Sequence, residues 1–123
     1  MQRPEHNAAD APAPAGQYTQ AIEVSGASRT LYISGQVGVK ADGSIPDDAE
    51  TQAVLAWRNL QAQLRAAGMD IENLVKITTI VRNEADIPAV RTGRAANKTA
   101  SILVVGGLSN AAWKVEIEAI AVA

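Results

Sequence analysis

The chain contains no cysteine and no phenylalanine, and it has a single histidine among its 123 residues. Without cysteine there can be no disulfide framework, no thiolate metal site and no cysteine nucleophile. His6 lies in a polar leader and cannot form a metal cluster alone, so we expect neither a metal nor a cofactor. Because there are only two Trp and two Tyr, the core must be filled by Val, Ile, Leu and Ala, which favours thin, closely packed layers.

Long apolar runs and strong charge are also missing. The run at 102–105 is far too short to span a bilayer, and residues 1–14 lack the basic start and apolar stretch of a signal peptide. We therefore expect a cytoplasmic protein without a membrane partner. The formal net charge of −2 gives no electrostatic footprint for nucleic acid. A small molecule is the expected ligand.

The length suits one domain. Residues 1–15 are rich in Ala and Pro and have no periodicity, which predicts a leader that is loose or lies over the body. The remaining residues, 16–123, are predicted to form the single domain. Within it, Tyr18–Val24 and Thr30–Gln36 have strand patterns and are separated by turn residues, which predicts a β-hairpin.

A long amphipathic helix is the clearest element in the sequence. Asp47 and Glu50 have the spacing of a capping box, apolar residues recur at steps of three and four as far as Ala67, and Gly68 can end the helix. Further along, the pattern predicts a strand over Leu74–Arg82, a short helix from Asp86, and strands over Ser101–Val105 and Trp113–Val122. The order ββαβαββ predicts an α+β fold with the helices on one face of a sheet.

Several short motifs, in a fixed order, resemble those of the Rid (YjgF) family of trimeric imine and enamine deaminases. They are Gly16 with Tyr18, Ser34-Gly35-Gln36, Ala66-Ala67-Gly68, Val75-Lys76-Ile77-Thr78 and the ending 115–121. The resemblance covers about residues 11–123. It implies a chorismate-mutase-like fold, in which a six-stranded mixed sheet carries two helices on one face. It also implies a homotrimer that binds a small molecule in clefts between subunits.

The resemblance also implies roles for individual residues. In deaminating members, an arginine binds the carboxylate of a 2-keto-acid imine, backbone groups near the Ser-Gly-Gln segment position the reacting atoms, and a glutamate of the last strand orients water. A tyrosine closes the cleft. By position, the matching residues are Tyr18, Ser34, Gly35 and Glu116.

The family arginine is replaced in this chain. The family sequence Pro-Ala-Arg-Ser aligns with residues 98–101, which puts Ala100 in place of the arginine, and alanine has no donor. Arg91 stands where many relatives have asparagine. We therefore expect a Rid-like trimer with altered imine or enamine hydrolysis, or a non-catalytic binding or regulatory trimer. Ribonuclease activity, a label some relatives carry, is disfavoured by the acidic net charge.

Several residues have both a functional and a structural interpretation. Arg91, Arg94 and Lys98 would share a helix face, either as a replacement anion clamp or as a solvated row. Glu116 and Glu118 share a strand face, either as a pair in which one activates water or as a polar sheet face that meets solvent or pairs with Lys76 and Lys114. Ser34 has no nearby base and is expected to act only through hydrogen bonds. Trp57 and Trp113 are expected to serve in packing or in subunit contacts rather than as stacking platforms.

Overall fold

The computed structural model describes residues 1–95 and 97–123 of the chain. Within them, strands β1 to β6 span Glu5–His6, Ala21–Ile22, Thr30–Val37, Leu74–Val81, Ala100–Val105 and Val115–Val122. Helices α1 and α2 span Ala49–Ala66 and Ile87–Thr92, and short 3-10 turns precede β4 and α2. Neither helix in this part of the chain has the length and hydropathy of a membrane span.

Four strands form the main sheet, in the order β3-β6-β4-β5. β6 runs antiparallel to β3 and β4, whereas β5 pairs in parallel with β4. Helix α1 packs on β3 and β6, and α2 packs against α1 on the same side. The predicted α+β architecture with helices on one face is confirmed. The six strands in the described residues are divided between this mixed sheet and a separate pair, β1 with β2.

The hairpin predicted from Tyr18–Val24 and Thr30–Gln36, which correspond to β2 and β3, does not form. β2 is reduced to Ala21–Ile22 and pairs with β1, while β3 pairs with the last strand of the chain. The physical reason is competition for partners. β6 buries alternate side chains against α1 and offers β3 a long antiparallel ladder, which the short and exposed β2 cannot match.

The first residues of the chain lie against the body. β1 places Glu5 opposite Ile22, and the side chain of Asn7 accepts a hydrogen bond from the backbone of Gln20 at 2.8 Å. The Arg3 guanidinium also donates to the backbone oxygen of Glu72. These contacts have no periodic sequence signature, and the boundary between leader and domain at residue 15 stays a prediction.

Helix α1 follows the predicted stripe, but its cap differs from the prediction. Asp48, not Asp47, is the N-cap, because its Oδ2 accepts from the backbone N–H of Thr51 at 2.8 Å and from that residue's hydroxyl at 2.7 Å. At the other end Gly68 has φ +70°, the left-handed conformation predicted for it. The stripe residues Ala53, Ala56, Leu60 and Leu64 are completely buried.

The two faces of the main sheet differ in character. In β6 the odd-numbered residues 115–121 belong to the core beneath α1, so Glu116, Glu118 and Ile120 lie on the opposite face, which we call the open face. Strand register gives three rows across the open face. They are Tyr32–Ile120–Lys76–Ala100, then the Ser34–Gly35 segment with Glu118–Thr78–Ile102, then Val37–Glu116–Ile80–Val104.

A buried glutamine joins α1 to the segment before β6. Gln52 donates to the backbone oxygens of Pro46 at 2.7 Å and Ala112 at 3.0 Å. Its carbonyl accepts from the backbone N–H of Lys114 at 2.8 Å. One amide group therefore satisfies three backbone groups and fixes the approach to β6.

An arginine at the end of β4 holds the same loop from the other side. Arg82 donates from Nε to the oxygen of Trp113 at 2.8 Å. It donates from Nη2 to the oxygens of Leu108 at 3.0 Å and Asn110 at 2.8 Å. The loop between β5 and β6 is thus tied at three carbonyls by one guanidinium.

Candidate functional site

The residues predicted to form one site lie in two places. Ser34, Gly35, Glu116 and Ala100 belong to the open face of the sheet. Tyr18 and Arg91 instead line a cavity on the helix side of β5. A single chain therefore does not bring all the predicted residues together.

The Ser-Gly-Gln motif forms a bulge in β3. Ile33 pairs with Ala119 and Gln36 pairs with Ile117, so two residues of β3, Ser34 and Gly35, oppose the single residue of β6 between those partners. A bulge of this kind locally interrupts the ladder and redirects the chain. It leaves Ser34 and Gly35 exposed on the open face.

Gly35 and Glu116 are in direct contact across the bulge. A Cβ atom built at residue 35 would lie 1.7 Å from Glu116 Oε2 and 2.6 Å from its carboxyl carbon. Only the absence of a side chain allows the carboxylate to lie over the backbone there. The structure therefore brings together the predicted catalytic glutamate and the predicted positioning backbone.

Ala100 lies at the start of β5, in the open-face row that contains Lys76. Its methyl group offers no donor, so the guanidinium that the family pattern places at this position is missing here. Lys76 supplies a cation in the same row, and its side chain is exposed. The open face thus combines carboxylates, one lysine and apolar side chains.

A second candidate site is a cavity of about 790 Å³ between α1, α2, β5 and residues 15–20. Tyr18 borders it on one side and Arg91 on another. Ser101 and Leu103 also line it, because they lie on the helix side of β5. Ile102 of the open face lines it too, so the cavity lies at the β5 edge of the sheet, whereas Glu116 lies on β6.

Arg94 is a second arginine in this cavity, beside Arg91. Its guanidinium carbon lies 6.0 Å from the centre of the Trp57 ring, at the limit of a cation–π contact. Its Nε and Nη2 atoms are buried, and no acceptor among residues 1–95 and 97–123 reaches them. Burial lowers the pKa of Arg94 below its ordinary value, although an arginine keeps its charge at neutral pH.

A glycine explains where Arg94 lies. Helix α2 ends at Thr92, and a Cβ at Gly93 would lie 2.8 Å from the Cβ of Ala53 and 2.9 Å from the Glu50 oxygen of α1. The chain passes close to α1 at this glycine and turns, which directs Arg94 toward Trp57.

The predicted row of three cations on one helix face is therefore wrong. Only Arg91 lies in α2, Arg94 follows the helix end, and the exposed Lys98 does not line the cavity. Sequence reasoning named Arg94 only as part of that row and assigned Trp57 to packing. The local signal that distinguishes Arg94 is the glycine before it, and its significance depends on contact with α1.

Other candidate groups lie apart from these two sites. His6 Nε2 is 3.3 Å from a carboxylate oxygen of Glu23, both of them exposed near the start of the chain. In the part of the chain that the structure describes, no group of three or more His, Cys, Asp or Glu side chains is arranged to hold a metal. The Trp113 indole N–H is buried and has no acceptor among these residues.

Sequence comparison finds similar proteins over nearly the whole chain. The family model described as endoribonuclease L-PSP matches residues 8–123. A 2-iminobutanoate/2-iminopropanoate deaminase of Capra hircus is 39% identical over 127 residues, which cover 93% of this chain and 85% of the goat protein. In three other curated relatives, the match covers only 55%, 62% and 58% of the relative's length.

Comparison with solved structures agrees with the sequence matches. A protein of unknown function of the conserved Rid family, YyfB from Yersinia pestis, has a TM-score of 0.84 and 28% identity, with 100% of both chains covered. TdcF of E. coli with bound serine has a TM-score of 0.66 and 25% identity, covering 98% of each chain. The fold of this chain is similar to the folds of these proteins.

Proposed function

Because the chain belongs to the Rid (YjgF) family, we propose that it is a homotrimer that binds a small metabolite between subunits and hydrolyses imines with altered specificity. The observation that carries the proposal is the contact between the Glu116 carboxylate and the backbone of Gly35. The goat relative is named as a deaminase of 2-iminobutanoate and 2-iminopropanoate, which indicates the reaction class. A cytoplasmic location is part of the proposal.

Glu116 would act on water. A carboxylate accepts a proton from a bound water as that water attacks the carbon of a C=N bond, which gives a carbinolamine. Return of that proton to the imine nitrogen completes the neutral carbinolamine. A second transfer through the same carboxylate moves the hydroxyl proton to the amino nitrogen, so that the C–N bond breaks, the C=O bond forms and ammonia leaves with a carbonyl compound as the other product. Backbone groups of Ser34 and Gly35, exposed at the bulge, would position the imine beside this carboxylate.

The homotrimer is proposed from the open face. In the single chain this face exposes large apolar side chains, with Tyr32 77%, Ile102 50% and Val104 42% accessible. Such a face of a two-layer fold calls for burial, and symmetric self-association is a common way to achieve it. Clefts between subunits would then lie next to Glu116, which shares this face.

The proposal of altered specificity depends on Ala100, which stands where the family pattern has an arginine. An arginine would grip a keto-acid carboxylate with two parallel hydrogen bonds, and alanine provides none. Loss of such a contact costs a small ligand a large share of its affinity. The same observation supports the second candidate function, a trimer that binds a metabolite in this cleft without turning it over.

The test compares the two candidates directly. The purified protein is incubated with 2-aminoacrylate generated in place, and the release of pyruvate and ammonia is followed against the uncatalysed rate. For a hydrolase, Glu116→Gln is expected to lower kcat/KM by roughly 10²- to 10⁴-fold. Ala100→Arg is expected to raise kcat/KM for this keto-acid substrate, because it restores a carboxylate contact.

Glu118→Gln is the matched control, since it changes a carboxylate on the same face and strand. It is expected to leave activity within about threefold of wild type. No acceleration by wild type, with activity gained in Ala100→Arg, would assign the natural protein to the binding function. Equal activity in wild type and Glu116→Gln would contradict the proposed mechanism.

A further inference from the structure

We propose that Asn59 of α1 is a positioning residue for the reaction at Glu116, because it fixes the end of β3 that lies opposite this glutamate. The juxtaposition that carries this inference is one side-chain amide bound to two backbone oxygens, one of which belongs to the register partner of Glu116. Asn59 acts through Glu116 and not on the substrate. Its role therefore rests on the proposed function, in which that carboxylate acts on water.

Asn59 holds the turn that follows β3. Its Nδ2 donates to the backbone oxygen of Val37 at 2.8 Å and to that of Val39 at 3.1 Å. The backbone N–H of Val39 also donates to the Val37 oxygen, at 2.9 Å, which makes the turn a tight one. One side chain of α1 thus binds both ends of this turn and determines where β3 leaves the sheet.

The stretch of β3 that Asn59 holds is short and lies next to the bulge. After the bulge that contains Gly35, only Gln36 and Val37 pair with β6 before the strand ends, and Val37 lies directly opposite Glu116. So short a strand end opens easily unless another group holds it. The hydrogen bonds from Asn59 supply that hold, and they therefore help to keep Gly35 beneath the Glu116 carboxylate.

A second amide of α1 holds the strand that carries Glu116. The side-chain oxygen of Gln52 accepts from the backbone N–H of Lys114 at 2.8 Å, just before Glu116 in β6. Gln52 and Asn59 are separated by about two helical turns, so they lie on the same side of α1. Both strands that meet at the contact between Glu116 and Gly35 are therefore anchored to one helix, each by one amide.

Asn73 provides a matched control for a purely structural role. Like Asn59, it is half-buried, and its Nδ2 donates to a backbone oxygen, that of Val122 at 2.9 Å. Val122 lies at the opposite end of β6 from Glu116. Loss of either amide removes a bond to a backbone carbonyl, but only the loss of Asn59 releases the part of the sheet beside Glu116.

The experiment compares Asn59→Leu with Asn73→Leu on 2-aminoacrylate generated in place. Each substitution keeps the approximate volume of the side chain and removes its donors, so the melting temperature is expected to fall in both variants. Asn59→Leu is expected to lower kcat by roughly tenfold and to leave KM within about twofold, because the base is misplaced while binding is retained. Asn73→Leu is expected to keep kcat within about twofold of wild type.

Combination with Glu116→Gln distinguishes positioning from a general loss of stability. If Asn59 acts through the carboxylate, Asn59→Leu should cause no further loss of kcat in the Glu116→Gln protein, because the group that it positions is already gone. An equal loss of kcat in both backgrounds would instead assign Asn59 to stability alone and overturn the proposal.

The amide resonance of Gly35 gives an NMR readout that does not depend on turnover. Glu116→Gln is expected to shift this resonance in the otherwise wild-type protein, because the Glu116 side chain lies over Gly35. The same substitution should shift it much less in the Asn59→Leu background and by the full amount in the Asn73→Leu background. If wild type does not accelerate hydrolysis, the proposed function fails, and this resonance alone decides whether Asn59 positions Glu116.

Asn59→Asp takes the place of Asn59→Leu if the latter does not fold, since the ionised carboxylate has a similar shape and no donor. Three further results would overturn the proposal. They are a wild-type kcat in the folded Asn59 variant, an equal fall of kcat in Asn73→Leu, and a Gly35 resonance that responds to Glu116→Gln in the Asn59 variant as it does in wild type.

Discussion

The Glu116 carboxylate occupies the space that a side chain at residue 35 would need. Its Oε2 lies 1.7 Å from the position of a Cβ built on Gly35. The two residues are brought together by the bulge, which displaces residues 34–35 from the regular ladder with β6. The motif near the front of the chain and the motif at its end therefore form one structural unit.

Gly35→Ala is expected to move the glutamate without unfolding the protein. The obstructing atoms belong to the far end of a flexible side chain, so the carboxylate can rotate away at small cost in stability. If Glu116 acts on water, displacing it should reduce kcat/KM on 2-aminoacrylate by at least about tenfold. Steady-state kinetics and a thermal melt measure the two effects, and wild-type activity in folded Gly35→Ala would contradict this role.

Gly38→Ala is expected to behave differently, because its obstacle is backbone. A Cβ there would lie 2.4 Å from the backbone oxygen of Gln52 and 2.5 Å from its Cα, in the first turn of α1. Helix and strand would have to separate, which should lower the free energy of unfolding by about 1–3 kcal/mol. Denaturant unfolding tests this value, and Gly43→Ala, at a turn with no neighbouring atoms, provides a comparison dominated by φ strain.

Gln52→Leu is expected to destabilise the link between α1 and β6. The substitution keeps the side chain's approximate volume but leaves the oxygens of Pro46 and Ala112 and the N–H of Lys114 without this partner. We expect the free energy of unfolding to fall by about 1–3 kcal/mol. Gln63→Leu, at an exposed position of the same helix, should change it little, and an equal loss in both variants would contradict the argument.

Asp48→Ala is expected to produce a pH-dependent loss of stability. Hydrogen bonds from the Thr51 hydroxyl and backbone lower the pKa of Asp48 from 3.8. A group whose pKa is lower in the folded state contributes stability above its unfolded value and loses it as the pH falls through the folded value. The melting temperature of Asp48→Ala should therefore lie below that of wild type at neutral pH.

The difference should shrink as the pH falls below about 3.8 and the carboxyl of the wild type becomes protonated. Asp47→Ala serves as the control, since Asp48 and not Asp47 is the cap. A constant difference from pH 7 to pH 3, or an equal loss in Asp47→Ala, would show that capping is not the cause.

Ile102→Lys is expected to disrupt self-association through the open face. Ile102 lies in the central row of that face and is half accessible in the single chain. If the protein assembles through this face, the substitution buries a lysine of each subunit at the interface, which is costly, so light scattering should report a smaller species than for wild type. Val24→Lys, exposed outside the main sheet, should leave the assembly unchanged, and a trimer retained by Ile102→Lys would exclude this face as the interface.

The elements predicted correctly are those that local pattern specifies. The stripe of α1 and its end at Gly68 follow from helical periodicity and from the conformational freedom of glycine. The cap at Asp48 was missed by one residue, because two adjacent aspartates satisfy the same pattern and only geometry selects one. Local sequence was therefore sufficient to predict this helix and insufficient to place its first turn.

Long-range contacts account for the features that the sequence could not predict. β2 pairs with β1 because β3 forms its ladder with β6, the last strand of the chain, and not with β2. Arg94 lies in the cavity because α2 ends where Gly93 meets α1, a contact with no local signature. The family pattern did predict the motifs that meet at Gly35 and Glu116, since it encodes a shared three-dimensional arrangement.

The guanidinium of Arg82 has a consequence for the placement of Glu116. By holding the carbonyls of Leu108, Asn110 and Trp113, it fixes the route by which the chain enters β6. Because Glu116 follows that entry closely, the reach of its carboxylate depends on an anchor at the end of β4. The loop before β6 thereby helps to position the Glu116 carboxylate over Gly35. If this loop loosened, the carboxylate would lose its fixed position while both helices stayed folded.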